Sequence, residues 1–501
     1  MTLRSLAGTS AIVLSLTSTG LLADVTPEEV WQAWQDSSAA MGTTVTAESA
    51  ARDGDTLVVS KIAMNDSTGG TATLDTIAFT DNGDGTVSVV LPDSFPINLT
   101  IPATEGDATS TPSDLAIAVT MPGATITASG TPDSIAYASD APQLDLTFDI
   151  TDSAGTGSTA TVEMKLTGVQ AHSSVASGEA ESYQEDLTVK SVVISAKGAD
   201  AISDFTLGAS IANLTTNVMV SVPKGTGADA FEVALAKGLT MSSQFGMGTT
   251  TLDVTTTEAG ATTAIGVGLQ DGVVNMSVDA GKVDYYNNFN ALSVNIASPD
   301  VPMPNAAMGL GQAELHLMFP MLKSDTPADF AFLFNLTDLS FAEDIWAMID
   351  PGQAFKHDPA TVIVDATGKI TLSQDLTADT AAMTVGDPNA VGALNALEVP
   401  NITLKAGGAE LTAQGGFTFD HSDMTTFAGV PAPTGKLDVK ATGVNALIDT
   451  LVAMGLVPQD QADQGRMMLA IFANTATDAD EMTSTLEFKD KHFFANGQQL
   501  Q

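Results

Sequence analysis

Apolar and polar residues alternate one for one through most of this chain. The pattern runs through Leu144–Ile150 (LDLTFDI), Thr161–Leu166 (TVEMKL), Leu292–Ile296 (LSVNI), Phe417–Asp420 (FTFD) and Lys436–Lys440 (KLDVK). A period of two puts one set of side chains on each face of a strand. It points away from a helical bundle and toward antiparallel sheets with one wet face. Threonine, abundant here, is β-branched and suits strands. Turn-forming stretches such as NGDG, PKGTG, DATGK and KAGG punctuate the runs. The expected fold is mainly β with a few capping helices (α+β), its large curved antiparallel sheets either packed as a sandwich or left open as a groove.

Helical patterns are few. Thr26 offers an N-cap, Pro27 a first helical residue and Glu29 the partner of a capping box. Val30, Trp31, Trp34 and Met41 then share a stripe, and Gly42 ends it. Further helices are expected at 342–349, where Trp346 stands, at 444–455 and at 459–473. All three tryptophans thus fall on helices of a strand protein. Each Trp covers a large area, roughly 150–250 Å². The segment 24–42 therefore reads as a cap docked on an end or edge of the sheet. The rival role is a membrane-interface anchor. It is disfavoured by Glu28, Glu29 and Asp36 and by the absence of Lys or Arg on that stretch.

Residues 1–23 have the form of a secretory signal: Arg4, a short apolar stretch from Ala11 to Leu16, and a cleavage site near Ala23. A periplasmic or secreted protein with no transmembrane span in its mature part is expected. Beyond the leader, the reading divides the chain into strands over 43–300 and strands with helices over 301–501. The stretch 103–114 is a loop and 298–312 the candidate linker. A loose echo links 330–365 with 436–489, each ordered strand, helix, strand.

There is no cysteine, which excludes disulfides, Cys-ligated metals and a thiol nucleophile. Lys and Arg number 18 against 60 Asp and Glu, a formal charge of −42. Such a surface repels nucleic acid and anionic headgroups. The acids are dispersed, as on a solvated face, rather than clustered around cations.

Motifs for chemistry are weak. DNGDGT (81–86) lacks EF-hand spacing and lies between two strand patterns, so it reads as a hairpin turn. NTATDADE (474–481) reads as a solvated acidic loop. Ser221–Lys224 fits S-x-x-K but closes a strand and has no partner motif. His172, His316, His357, His421 and His492 are scattered, which argues against zinc, and His316 falls on the polar face of a strand. No catalytic, metal or cofactor residue is assigned. The ligand or lid candidates are Trp31, Trp34, Trp346, Tyr285 and Tyr286. The two tyrosines head the cluster YYNNF (285–289), placed on a loop or strand end.

The sequence also resembles a family. DVTPEEVWQAWQ and AARDGD follow the leader; GKLDVKATGVNALIDTLVAMGLV, MMLAIFA and STLEFKDKHFFANGQQL close the chain. This combination resembles DUF2125, found mainly in alphaproteobacteria, which brings no established activity and no catalytic residue to map. The closing unit is similar, more loosely, to the end of AsmA-type envelope proteins. That likeness implies a periplasmic curved sheet with an apolar groove able to carry lipid.

The expected function is thus a non-enzymatic envelope protein that shelters a lipid or other hydrophobic component. The alternatives are a scaffold binding another envelope protein and a secreted hydrolase with a carboxylate pair. Whether apolar faces close on each other or leave a groove is open at this level.

Overall fold

The computed structural model describes residues 24–40, 43–66, 71–101, 113–152, 159–199, 203–226, 231–300, 306–376, 391–476 and 480–501. The expected leader 1–23, Met41 and Gly42, most of the loop 103–114, residues 301–305 of the candidate linker and Asp478 lie outside these residues. Strands make up 67% of the structure and helices 12%, which fixes the class as mainly β. The chain divides into two compact units: residues up to Asp271 with Ala297–Asp300, and Gly272–Ile296 with Val301–Gln501.

The first unit is an antiparallel up-and-down meander. Thr43–Asp53, Thr56–Asp66 and Thr71–Asp81 pair in order. The next two strands are each broken in the middle. Val87–Val90 and Ser94–Ile101 flank Pro92; Ser113–Thr120 and Thr125–Thr131 flank Pro122. Proline has no N–H for the ladder, so the pairing stops and resumes around it. The long strands Ser134–Asp152, Thr159–Ser177, Ala180–Ala199 and Ser203–Pro223 follow.

Across these four strands, Pro142, Gly168, Lys190 and Asn213 lie at one level outside the regular register. Gly168 and Asn213 are left-handed, with φ of 59° and 50°. Here the apolar spacing slips from two to three. Val189 is followed by Val192, Leu166 by Val169, Ile211 by Leu214 and Ala141 by Leu144. All eight still pack in one cluster. The skip is matched on both strands of each pair, so the register is kept while the apolar face carries on across this level. The second unit repeats the device at Ala291, Gly311 and Asp338, with φ of 52° at Ala291 and 58° at Asp338.

Helix α1 (Pro27–Ala40) lies over the first three strands. Its capping box forms as expected: Thr26 N–H donates to Glu29 at 2.8 Å, and Glu29 N–H to Thr26 Oγ1 at 3.4 Å. Val30 and Trp31 are buried with Leu57, Val59, Ile62, Ile77 and Phe79. A second helix, α2 (Phe231–Ala236), has too few residues for a periodic signal. It buries Ala234 and Leu235.

The second unit continues as a meander. Val283–Ala297, Ala306–Phe319, Ala328–Phe341, Ala360–Leu372, Gly392–Ala406, Ala409–Asp420, Ala432–Thr442, Glu481–Lys489 and His492–Ala495 pair consecutively and antiparallel. Helix α3 (Glu343–Ile349) and helices α4 (Val444–Ala453) and α5 (Gln459–Phe472) fill two of the connections, close to the expected bounds. Three expectations need correction. Residues 306–312 are strand rather than linker. DATGK (365–369) is mid-strand rather than a turn, because Gly368 makes room for the ring of Phe330. NTATDADE is not a free loop. Its Asn474–Ala476 is a strand, and Asp480 accepts hydrogen bonds from the N–H groups of Asn445 and Ala446, capping α4.

Candidate functional site

The five sequence candidates are not brought together. Trp31 (8% exposed) meets Phe79 tilted and Trp34 meets it edge-on, with ring centroids 5.9 and 5.5 Å away. Together they close the core of the first unit. Helix α1 thus covers a sheet face, not an edge, because Phe79 reaches it from the third strand. Trp346 belongs to the second unit. It stacks on His357 at 4.4 Å and meets Phe341 edge-on at 6.1 Å. His357 Nδ1 lies 3.1 Å from Glu343, and buried Asp350 accepts the N–H of Phe355 at 2.7 Å. Backbone hydrogen bonds from Ala354 and Phe355 outweigh burial and hold the Asp350 carboxyl below its ordinary range. This cluster ties the loop after α3 to the helix.

Tyr285 and Tyr286 lie within the strand Val283–Ala297, not at a loop or strand end. The alternation sends them to opposite faces. Tyr285 shares its face with Leu317 and Phe332, its cross-strand neighbours. Tyr286 faces the other way and donates its hydroxyl to Glu314 at 3.1 Å.

The Tyr286 face is a connected polar surface. Asn335, only 7% exposed, donates to Gln312 and Glu314 at 3.1 and 3.2 Å. His316 Nε2 lies 3.0 Å from Asp284, which also accepts from Lys282 at 2.7 Å. Burial opposes the charge on Asp284, but these two partners outweigh it and lower its pKa. Asp365, beside them, is pushed upward by burial and then by the charge of Glu314. His316 is on the polar face, as its neighbours in sequence imply. No three acids or histidines among the described residues converge as metal ligands.

The opposite face is apolar. Cross-strand rows run Leu315–Phe334–Val364–Ile402–Ala413 and Leu317–Phe332–Ala366, with Phe319 and Phe330 stacked at 6.1 Å beyond them. These large side chains are only half-buried. The buried apolar residues of this unit are mainly alanines: Ala331, Ala409, Ala413, Ala432, Ala441, Ala462 and Ala495. Of the chain's 20 phenylalanines, Phe79 alone is a buried core residue, and it is in the first unit. Sequence reasoning found the alternation but not which strands are left uncovered; in the first unit Phe205, Met219 and Ile265 are exposed beyond the reach of α1. That depends on what packs against each strand.

At one end of the C-terminal sheet this face runs into a cleft of about 530 Å³. It is lined by Leu372 and Met424 within, and by Lys323, Asp325, Ser373 and His421.

Residues 250–495 match DUF2125, described as an uncharacterized protein conserved in bacteria. This match covers just under half of the chain. It takes in the whole apolar face and the helices α3, α4 and α5. No curated protein and no solved structure matches the chain. No helix among the described residues is long and apolar enough to cross a membrane, which leaves strands out of account. Chemically, the DUF2125 stretch offers a broad apolar surface, a satisfied polar one, and a cleft where the two chemistries meet.

Proposed function

We propose that this chain is a non-enzymatic protein of the bacterial envelope, periplasmic or secreted, that shelters a hydrophobic ligand on the apolar face of its C-terminal sheet. One observation carries the reading. The second unit buries alanines and leaves Phe319, Phe330, Phe332, Phe334, Leu315, Leu317 and Leu336 half-open. Apolar surface left in water costs about 25 cal/mol per Å². A continuous apolar face of this kind fits a binding surface better than an ordinary monomer exterior. The first strands of the first unit, built from the same pattern, close over Phe79 with the Trp31 helix instead.

Native mass spectrometry of residues 24–501 purified from a periplasmic fraction, followed by organic extraction, tests this. Extra mass of lipid size, released by solvent, supports it. A bare-chain mass in a folded protein refutes it.

A second reading, an envelope scaffold, has its own support. In α5, Met467, Met468 and Ile471 are each more than half exposed and form a stripe suited to a partner's groove. One stoichiometric partner recovered from periplasmic extract, and lost on replacing the stripe by Gln, would favour that role.

A further inference from the structure

The cleft at the end of the apolar face differs chemically from the face itself. Lys323 and Asp325 are exposed at its rim, two residues apart, and neither side chain has an ion-pair or hydrogen-bond partner among the described residues. The backbone of Lys323 is fixed: its N–H donates to Asp375 at 2.6 Å. His421 donates Nε2–H to the Leu394 carbonyl at 2.8 Å, which fixes the ring; in the Nε2–H tautomer Nδ1 is an acceptor. The cleft thus presents one cation, one anion and a histidine ring.

Its floor leads onto the apolar face. On the strand Ala360–Leu372, the alternate residues Leu372, Ile370, Gly368, Ala366, Val364 and Val362 share one side. Phe330 lies over Gly368, and Phe319 stacks on Phe330. At about 3.4 Å per residue, the row from Leu372 to Val362 extends roughly 34 Å. Two lipid tails end to end fill a hydrocarbon core about 30 Å thick, so one tail fits within half the row.

We infer that the cleft receives the head of a zwitterionic amphiphile. Its phosphate sits against Lys323, its primary ammonium against Asp325 and the His421 ring, and its tail lies along Ile370 and Phe330. This rests on the ligand-sheltering role proposed above and names the class of ligand. Charge supports the choice. A chain of net charge −42 repels an anionic amphiphile, whereas a zwitterion is neutral overall and satisfies both rim charges. An ammonium with N–H groups uses the histidine acceptor of that tautomer, which a quaternary ammonium does not.

The test loads residues 24–501 from vesicles of equal phosphatidylethanolamine and phosphatidylglycerol, then repurifies the protein and quantifies extracted lipid. The wild type is expected to hold about two- to fivefold more phosphatidylethanolamine, the worth of roughly one exposed charge pair. Asp325→Asn is expected to bring the ratio near one at unchanged total lipid. Lys323→Glu is expected to lose both phospholipids while still taking up diacylglycerol. Both sites are exposed, so the variants keep the fold. Excess glycerophosphoethanolamine is expected not to displace the lipid; displacement would mean that the cleft reads a soluble head alone and would overturn the tail assignment. Bound lipid without headgroup preference, or a ratio unmoved by Asp325→Asn, overturns this inference and leaves the sheltering role standing. No bound lipid at all removes both.

Discussion

Gly368 lies beneath the ring of Phe330, in mid-strand. A Cβ there would meet the Ala396 carbonyl and come within 2.7 Å of Phe330 Cε1. Gly368→Ala is expected to cost about 1–3 kcal/mol by overpacking, read as a lower urea midpoint. A midpoint equal to wild type would show that Phe330 moves freely. At Asp423, a second residue-scale prediction concerns pH. Its carboxylate accepts from Lys491 at 2.7 Å and from Thr426 Oγ1 at 2.7 Å. The Lys491 bond first, then those from Thr426, hold its pKa far below the ordinary carboxylate value. A depressed folded-state pKa stabilises above the unfolded value and is lost as pH falls through the folded one. Asp423→Asn is therefore expected to lower Tm at pH 7, with the difference from wild type shrinking below about pH 4. A difference independent of pH would show that shape, not charge, matters there. Little of this was legible in the sequence. DATGK looks like a turn, and only the neighbouring Phe330 ring explains a glycine inside a strand. Lys491 and Asp423 are 68 positions apart, and only the fold pairs them.

Elements show a sharper division. The start of α1 could be read directly, because its capping box is local: Thr26 and Glu29 are three residues apart and need nothing else. What α1 covers was not local. Trp31 and Trp34 grip Phe79, some 45 residues later, and turn the helix onto a sheet face. Trp31→Ala is expected to cost about 3–5 kcal/mol, as for a large aromatic removed from a closed core. Chemical denaturation followed by circular dichroism checks it; a loss below about 1 kcal/mol would mean that the helix is not part of the core. The start of α4 is the opposite case. Gly443 has no side chain to cap it, and Asp480 does so across 35 positions. Asp480→Ala is expected to cost about 0.5–2 kcal/mol, seen as a lower Tm. Backbone breaks follow the same rule. Pro92 and Pro122 announce theirs, whereas the left-handed Asn213, Ala291 and Asp338 line up with skipped residues on the neighbouring strands, which only the pairing reveals.

At the scale of the whole molecule, the 60 acids against 18 bases set the electrostatics. Like charges at this density repel, and raising salt from 0.01 to 1 M shortens the screening length from about 30 to 3 Å. Tm is expected to rise across that range. A fall would mean that pairs such as Arg52–Glu28 and Lys61–Asp75 outweigh the general repulsion. Composition and alternation by themselves determined the class of this protein. A period of two allows strands with one apolar face, the lack of cysteine leaves burial as the means of cohesion, and the few capped, Trp-bearing stretches must be helices. These are short-range properties, decided by neighbours within a few residues. What covers each apolar face was decided only by tertiary structure. The Leu57–Phe79 strands and the Leu315–Val364 strands carry the same pattern, yet α1 closes the first set and the second stays half-open. The reason is physical: alternation states which side of a strand avoids water, and only the packing of distant segments states what it meets instead.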